Sequence, residues 1–418
     1  MAEAASKTTS VRRRGLRIVV GVVVALLSSV AALVVIEAIA RIAGYGSDQL
    51  LRDDSVLGVR FIESKRGLSQ STCYHANVNV NSQGWRTPEF AQMKSDDVLR
   101  VLVLGDSFMA GLQVNDDEIF SSILRQRLNE AGLRKKVEVI TFGVPSWGTD
   151  QQYLALRQYG LKLNPDLVVV AFYAQNDVAE TDLMLRLSTN TYPKPFFDLR
   201  EERLIELPFV DSTPMPIRVG RRLAADLRVY PMVRDSLLTF PLAHRVLFRM
   251  GIVGVVPQEI ESPEPEDSSL WQWPDRWRRQ IGVFELRPWA DWSRAWAISE
   301  ALLNRMNAEA TSTGARFLLL GVASPIEVMP QDVLTGLIGK KMKDFDADQP
   351  TRRLTEISMR RGIDFVSMVP AFRERIGGRA QTFEDLFLRC DGHWTPAGHR
   401  LAAELATTEV VARLRADQ

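Results

Sequence analysis

The stretch RVLVLGDSFMAG, residues 100–111, decides the fold and raises the question of function. Its first half, residues 101–105, is an apolar run without polar alternation, which is typical of a strand covered on both faces in a parallel sheet. A Gly-Asp-Ser turn follows at once and puts Asp106 and Ser107 at the carboxyl end of that strand. Such residues are common in turns, but open α/β sheets also bind ligands at the carboxyl ends of their strands. We therefore ask which residues follow the other strands.

Strand and helix patterns alternate before and after one long irregular region. Apolar runs predict strands at 98–105, 137–144, within 165–177, at 315–323 and at 363–369. Amphipathic patterns predict helices at 117–132, 150–163, 289–314, 348–362 and 395–414, where Thr395 is a natural N-cap and Pro396 suits the first turn. The order predicts an α/β fold with a five-stranded parallel sheet and a large insertion after the third strand, at about 178–290.

The N-terminus carries an apolar segment that is long enough to cross a membrane. Residues 18–36 contain 19 residues without a charge, which span about 30 Å as a helix. Arg12, Arg13, Arg14 and Arg17 precede the segment, and such a positive flank stays in the cytoplasm. We expect a cytoplasmic tail (1–17), a transmembrane signal-anchor (18–41), an extracytoplasmic extension with short strands (42–98) and the main domain (99–418). A cleaved signal peptide and a buried core helix are the alternatives.

Composition excludes one class of partner and leaves the state of the cysteines open. The formal net charge is +1, so nucleic acid is not an expected partner. The only two cysteines, Cys73 and Cys390, can pair in an oxidising compartment or remain buried thiols. In the extension, HANVNVNSQGWRTPE (75–89) contains the turn signal NSQG and predicts a small β-hairpin.

The insertion has two notable pieces. SLLTFPLAHRVLFRMGIVGVV (236–256) is apolar, but its proline, histidine and arginines argue against a second membrane span. It suits a core helix of an inserted subdomain, a cap over the active site or a face near the membrane. PQEIESPEPEDSS (257–269) reads as an exposed linker.

Candidate functional residues stand after each of three strands and before the last helix. Gly143 follows the second strand, where a glycine lets the backbone approach a ligand and offers its N–H, although a plain turn also uses glycine. Asn176 ends the third strand and offers a side-chain amide, or else caps a helix. Asp391 and His393 lie two residues apart on a loop, so the carboxylate can fix the imidazole tautomer and leave the other ring nitrogen as a base. Ser107 would then be the nucleophile.

The remaining histidines and the glycines support no other chemistry. His399 lies within the last predicted helix and suits packing or a hydrogen bond, while His75, near Cys73, has no convincing carboxylate partner. No HxxxH or CxxC spacing occurs, so neither a metal nor a cofactor is expected. A nucleotide-binding function would require a phosphate loop after the first strand, and GDSFMAG has neither GxGxxG nor GxxxxGK[ST].

Four blocks of the sequence together resemble the SGNH (GDSL-type) hydrolase family. They are VLGDSF (103–108), TFGVPSWG (141–148), AQND (174–177) and DGHWTPAGH (391–399), and the likeness extends from about residue 81 to 414. VNSQGWRTPE (80–89) resembles a segment of membrane-anchored bacterial members. The chain departs from the usual pattern at Thr141, where members often have Asn, at Ala174, where Gly is common, and in its Asp-x-His spacing. That last spacing resembles the alginate O-acetylation proteins.

The resemblance implies a flavodoxin-like three-layer α/β/α sandwich. The amphipathic pieces of the insertion predict that it is helical. The resemblance also implies that Ser107 is the nucleophile, His393 the base and Asp391 its support. The oxyanion hole would consist of the N–H groups of Ser107 and Gly143 and the amide of Asn176.

These roles lead to an expected function. We expect a serine-dependent esterase that removes or transfers acyl groups, in particular acetyl, on an extracytoplasmic (periplasmic) carbohydrate or lipid ester. Alternatives are an O-acetyltransferase-type partner of a membrane acyltransferase and an anchored binding protein without turnover. The Trp-rich segment 271–296 is the candidate for the substrate side of the cleft. The tryptophans considered for stacking on sugars, with an interior position as the default for most, are Trp147, Trp271, Trp273, Trp277, Trp289, Trp292 and Trp296.

Overall fold

A computed structural model describes most of the chain. The described residues are 2–42, 47–71, 73–183, 185, 194–201, 203–209, 215, 219, 223, 227–229, 281–286, 290–331, 333–334 and 345–415. The chain divides into two compact units, one of Met1–Gln49 with Met215–Val253 and one of Leu50–Pro214 with Gly254–Gln418. The second unit contains the parallel sheet and every residue proposed above as catalytic or oxyanion-binding.

The strands form one parallel sheet and several small hairpins. They are β1 (Leu51–Asp54), β2 (Gly58–Phe61), β3 (Arg66–Gln70), β4 (His75–Asn79), β5 (Val98–Gly105), β6 (Lys136–Gly143), β7 (Leu167–Phe172), β8 (Phe197–Arg200), β9 (Arg203–Glu206), β10 (Arg316–Gly321) and β11 (Phe365–Ser367). The parallel sheet has five strands in the order β11-β10-β7-β5-β6, which confirms the predicted α/β fold. The last strand is shorter than the predicted 363–369.

Helices follow the strands as predicted. They are α1 (Ala2–Ile42), α2 (Ser107–Ala110), α3 (Phe120–Glu130), α4 (Thr149–Ala155), α5 (Ala174–Ala179), α6 (Ala290–Ser312), α7 (Pro325–Val328), α8 (Gln349–Arg361), α9 (Val369–Ile376), α10 (Ala380–Leu386) and α11 (Pro396–Arg415). The hydroxyl of Thr395 accepts a hydrogen bond from Gly398 N at 3.2 Å, so it caps α11 as expected.

The strand order brings the candidate residues to one edge of the sheet. All eight residues of β5 are buried, and the strand lies between β6 and β7. Gly105, the last residue of β5, pairs with Gly143, the last residue of β6. On the other side, Leu104 pairs with Val170 of β7, and α5 begins soon after that strand ends. Three neighbouring strands therefore end where Ser107, Gly143 and Asn176 stand.

The extension forms two antiparallel hairpins, but the predicted turn does not connect either of them. β1 pairs with β2, and β3 pairs with β4. The NSQG turn lies after β4, where Gly84 N donates to Asn81 O at 3.1 Å and Gly84 adopts a φ of +80°. The link between β3 and β4 instead contains Cys73. The turn signal identified a real turn, and the prediction that it made the hairpin was wrong.

The second predicted helix, 150–163, is continuous but irregular. α4 passes into a π-helical turn at Leu156–Gly160 and a 3-10 turn at Leu161–Leu163. Gly160 lies against β5, because a Cβ built there would stand 2.5 Å from Leu102 Cδ2. The Leu102 side chain occupies the space that a side chain at position 160 would need, which explains the glycine, and Pro165 prevents a further α-helical turn.

The N-terminal helix α1 contains the predicted membrane segment. Val19–Ile42 is 24 residues long with a mean hydropathy of 2.9, long and apolar enough to cross a membrane, although a signal sequence has the same features. None of its apolar window is buried. The alternative of a buried core helix is therefore wrong.

The insertion begins after α5, at the predicted place in the chain. Its described part includes the antiparallel hairpin of β8 and β9 and a 3-10 turn at Ile281–Phe284. The apolar piece 236–256 and the linker 257–269 lie outside the described residues, so the predictions for them stay predictions.

Candidate active site

The turn after β5 presents Ser107 through a cap and two close glycines. Asp106 is the N-cap of α2, and its carboxylate accepts a hydrogen bond from Phe108 N at 2.9 Å. A Cβ at Gly143 would lie 2.6 Å from the Cβ of Met109 on α2, and one at Gly105 would lie 2.4 Å from Met109 Cγ. Glycine at the ends of β5 and β6 therefore lets α2 sit directly on the sheet edge. Ser107, the first residue of α2, remains partly exposed there.

Ser107, His393 and Asp391 are joined by hydrogen bonds. His393 Nε2 lies 2.8 Å from Ser107 Oγ, and His393 Nδ1 lies 2.8 Å from Asp391 Oδ2. An ionised carboxylate can only accept, so Nδ1 carries the proton and Nε2 is left as the acceptor for the serine hydroxyl. The side chains of His393 and Asp391 are 12% and 15% exposed, so this pair is largely shielded from water.

The loop that carries this pair is held by its backbone and by an aromatic neighbour. Leu388 N donates to His393 O at 2.8 Å, and Gly392 N donates back to Leu388 O at 2.6 Å. Gly392 has a φ of +75°, a conformation that favours glycine. Phe108 of α2 packs on the imidazole with ring centroids 4.8 Å apart. Backbone bonds and packing together limit the positions that His393 can adopt.

Asn176 lies on α5 beside the Asp106 carboxyl. Burial raises the pKa of Asp106 to about 6, while hydrogen bonds from Phe108 N and the Asn176 side chain act in the opposite direction. Asn176 is 7% exposed, and its Oδ1 accepts no hydrogen bond from the part of the chain that is described. The Asn176 side chain thus lies near Asp106 at the sheet edge, close to the turn that bears Ser107.

The buried carboxyl of Asp177, for which the sequence pattern indicated no role, fixes the start of α5. Asp177 accepts hydrogen bonds from Tyr173 N and from Gln152 Nε2, each at 2.8 Å. Burial, with a further contribution from the nearby Asp106, raises the pKa of Asp177 well above its usual range. Asp177 thus orients the turn that holds Asn176. The only signal in the sequence was the adjacency of Asn and Asp after a strand.

The two cysteines form a disulfide. Cys73 and Cys390 are bonded, with Cα atoms 6.1 Å apart. The bond joins the link between β3 and β4 to the residue before Asp391. The sequence left this pairing open, because nothing in it places the extension beside the last loop.

The two other described histidines, His75 and His399, have no described hydrogen bond to Ser107. His399 is buried on α11, where its Nδ1 accepts from Phe120 N at 3.2 Å, and burial lowers its pKa to about 3. It is neutral and structural, as predicted. His75 is exposed on β4, and its backbone pairs with Gln70. His244 lies outside the described residues.

The tryptophans of the predicted substrate face that the structure describes are buried and do not form such a face. Trp147, Trp292 and Trp296 are at most 3% exposed, so none of them can stack on a sugar. Trp147 donates its Nε1–H to Val59 O at 2.9 Å, and Trp296 stacks on Phe172. For these three, the interior position that was the default is confirmed. Trp271, Trp273, Trp277 and Trp289 lie outside the described residues.

Of the comparisons with known proteins, only the one with solved structures finds matches. No family model matches the chain, and no curated protein matches it. The acetyl xylan esterase AlAXEase is 12% identical and covers 75% of this chain and 100% of its own, with a TM-score of 0.39. A lipase/acylhydrolase from Enterococcus faecalis is 13% identical, with coverages of 75% and 96% and a TM-score of 0.37. Axe2, an acetylxylan esterase from Geobacillus stearothermophilus, is 12% identical, with coverages of 75% and 94% and a TM-score of 0.36. What each enzyme acts on is a property of that enzyme.

Proposed function

We propose that this chain is an SGNH-type serine hydrolase that cleaves or transfers an acyl ester through an acyl-enzyme. The observation that supports the proposal is the continuous chain of hydrogen bonds from Ser107 through His393 to Asp391. This arrangement of hydroxyl, imidazole and carboxylate is the one that activates a serine nucleophile, and it is recognised by geometry and not by position in the sequence.

In the proposed first step, Ser107 Oγ attacks the ester carbonyl carbon while His393 Nε2 takes its proton. The carbonyl π electrons move to the oxygen, and Asp391 stabilises the imidazolium that forms. The N–H groups of Ser107 and Gly143 and the amide of Asn176 would donate to that oxyanion. When the tetrahedral intermediate collapses, the ester C–O bond breaks and His393 returns the proton to the leaving alkoxide.

In the proposed second step, the acyl group leaves Ser107. His393 takes a proton from water or from an acceptor hydroxyl, whose oxygen attacks the acyl carbon. Collapse then breaks the bond to Ser107 Oγ and restores the serine hydroxyl. Water would make the chain a hydrolase, and a sugar hydroxyl would make it an O-acyltransferase.

The proposed location is the outer face of a membrane. Residues 18–41 would anchor the chain and 99–418 would carry the chemistry in the periplasm or its equivalent. The apolar window of α1, the arginines before it and the disulfide support this, because disulfides persist in oxidising compartments. A substrate in that compartment would be an acylated, in particular acetylated, carbohydrate or lipid ester, and a membrane acyltransferase is the candidate acyl donor for transfer.

Labelling of the full chain in detergent with a fluorophosphonate probe tests the serine mechanism. We expect labelling of the native chain, none in Ser107→Ala, and slow labelling in His393→Ala. His75→Ala, which changes an exposed histidine on β4, is the matched control and should label normally. Labelling that survives in Ser107→Ala would contradict the proposal by showing a different nucleophile. Its absence from the native chain would contradict the proposal and favour a binding protein without turnover.

A second assay separates hydrolysis from transfer. Acetylated sugars and longer acyl esters are offered with and without a glycan acceptor. Free acid released without an acceptor identifies a hydrolase, whereas turnover that requires the glycan identifies a transferase.

A further inference from the structure

Gln113 contacts the carboxylate that supports His393. It lies between α2 and α3, and its Nε2 donates to Asp391 Oδ2 at 2.8 Å. The same oxygen lies 2.8 Å from His393 Nδ1. Since an ionised carboxylate only accepts, the amide must present its nitrogen and not its oxygen to Asp391. One carboxylate oxygen therefore receives two donors from separate parts of the chain.

We propose that Gln113 is a positioning residue that fixes Asp391, and through it His393, for reaction with Ser107. The inference rests on the proposed function of these three residues. Loss of the Gln113 donor would leave the carboxylate of Asp391 freer to rotate and to exchange its oxygens. With Gln113 as a second donor, the oxygen that faces His393 is held in one direction, which in turn fixes the ring and its tautomer.

The surroundings of Gln113 show that its amide is kept for this contact. Its Oε1 is buried and accepts no hydrogen bond from the residues that the structure describes. A buried carbonyl without a donor lowers stability, and an apolar side chain of the same size would avoid that loss. The described hydrogen bond that offsets it is the one to Asp391. The part of the amide that has a described partner is therefore the one that faces the carboxylate beside His393, which points to a role in the site.

A buried arginine of the extension holds the backbone around Gln113. Arg86 is 2% exposed, and its guanidinium donates to Ala110 O at 3.0 Å, Gly111 O at 2.5 Å and Val114 O at 2.8 Å. These carbonyls lie on both sides of Gln113. Because one rigid, planar group binds all of them, the segment that carries Gln113 has little freedom to move.

The extension also holds the other partner of the contact. The hairpin of β3 and β4 binds the Gln113 segment through Asn77 N, which donates to Asn115 Oδ1 at 3.0 Å. The link within the same hairpin carries Cys73, which is bonded to Cys390, the residue before Asp391. The extension therefore fixes both ends of the hydrogen bond between Gln113 and Asp391.

The test compares Gln113→Leu with Gln83→Leu in the full chain in detergent. Gln83 is also a half-buried amide, and its Nε2 donates to Phe90 O at 3.2 Å, apart from the catalytic residues. The readouts are kcat and KM for p-nitrophenyl acetate and the NMR resonance of the His393 Nδ1 proton in histidine-labelled protein. A merely structural role would lower stability without moving that resonance.

We expect Gln113→Leu to lower kcat roughly 10- to 100-fold, the loss that removal of a hydrogen bond to a charged acceptor allows, and to leave KM unchanged. The His393 resonance should shift or broaden in Gln113→Leu and stay in place in Gln83→Leu. A native kcat together with an unmoved resonance would overturn the inference.

Two further outcomes are distinguishable. If Gln113→Leu does not fold, Gln113→Glu keeps the size and polarity of the side chain but sets a second carboxylate against Asp391. It should lose at least as much kcat, and native kcat in it would overturn the inference. If the native chain shows no turnover and no labelling of Ser107, the proposed function fails. The His393 resonance in Gln113→Leu then decides alone whether Gln113 positions the pair.

Discussion

The disulfide between Cys73 and Cys390 gives a prediction whose size follows from the structure. The perturbation is the double variant Cys73→Ser/Cys390→Ser, which leaves no unpaired thiol. The bond spans 317 residues of sequence. Loop-closure entropy for a loop of that length gives about 6 kcal/mol, and measured losses for native disulfides of small secreted domains run about 2–5 kcal/mol. We therefore expect the free energy of unfolding to fall by about 2–6 kcal/mol.

The same variant should also lose activity, because Cys390 precedes Asp391. Backbone hydrogen bonds still hold the loop, so we expect a decrease in kcat of about 10-fold, less than the 10²-fold that a 1 Å misplacement can cost. Denaturant unfolding of the full chain in detergent and turnover of p-nitrophenyl acetate measure the two effects.

Reductant supplies the matched control for this variant. Added to the native chain, it should reproduce both losses, and added to the double variant it should change neither. A double variant that unfolds at the native denaturant concentration and keeps native kcat would show that the disulfide contributes neither to stability nor to the site. Reaction of both cysteines of the native chain with an alkylating agent before reduction would also refute the prediction.

Three other predictions concern the sheet edge and a buried acid. Asn176→Ala should lower kcat about 10²–10³-fold with little change in KM, as loss of one oxyanion donor does, and an unchanged kcat in steady-state assays would exclude that role. Gly143→Ala forces a Cβ to within 2.6 Å of Met109 Cβ and should lower the free energy of unfolding by about 1–3 kcal/mol, measured by denaturant titration. Burial raises the pKa of Glu327 from 4.5 to about 7. Between these pH values the folded chain keeps a proton that the unfolded chain has released, so the free energy of unfolding should fall by about 3 kcal/mol as the pH rises from 4.5 to 7. Glu327→Gln should remove that pH dependence in unfolding curves, and a dependence that persists would contradict the assignment.

The sheet could be predicted because its strands depend on local pattern. The apolar run of β5 has no polar alternation, and all its residues are buried, which is what a central parallel strand requires. Because ligand sites in parallel sheets lie at the carboxyl ends of the strands, Ser107, Gly143 and Asn176 could be expected at one edge without knowledge of strand order or side-chain contacts. The meeting of Ser107 with His393, 286 residues later, follows from the same rule, since the loop that carries His393 lies at that edge.

What the sequence did not predict depends on contacts between distant segments. Gln113 looks like any polar loop residue until the fold brings Asp391 within 2.8 Å of it. Arg86 lies in a stretch that predicts only a turn, yet its guanidinium is buried among backbone carbonyls. Trp292 and Trp296 resembled a binding surface because aromatic residues serve both binding and packing, and periodicity within α6 does not tell the two apart.

The most direct test of the proposed serine mechanism is to trap the acyl-enzyme. The full chain is mixed with p-nitrophenyl acetate, quenched in acid within the first turnover, digested and analysed by mass spectrometry. We predict an acetyl group on the peptide that contains Ser107, absent in Ser107→Ala and formed much more slowly in His393→Ala. An acetyl group on another residue, or equal rates in the native chain and His393→Ala, would contradict that mechanism.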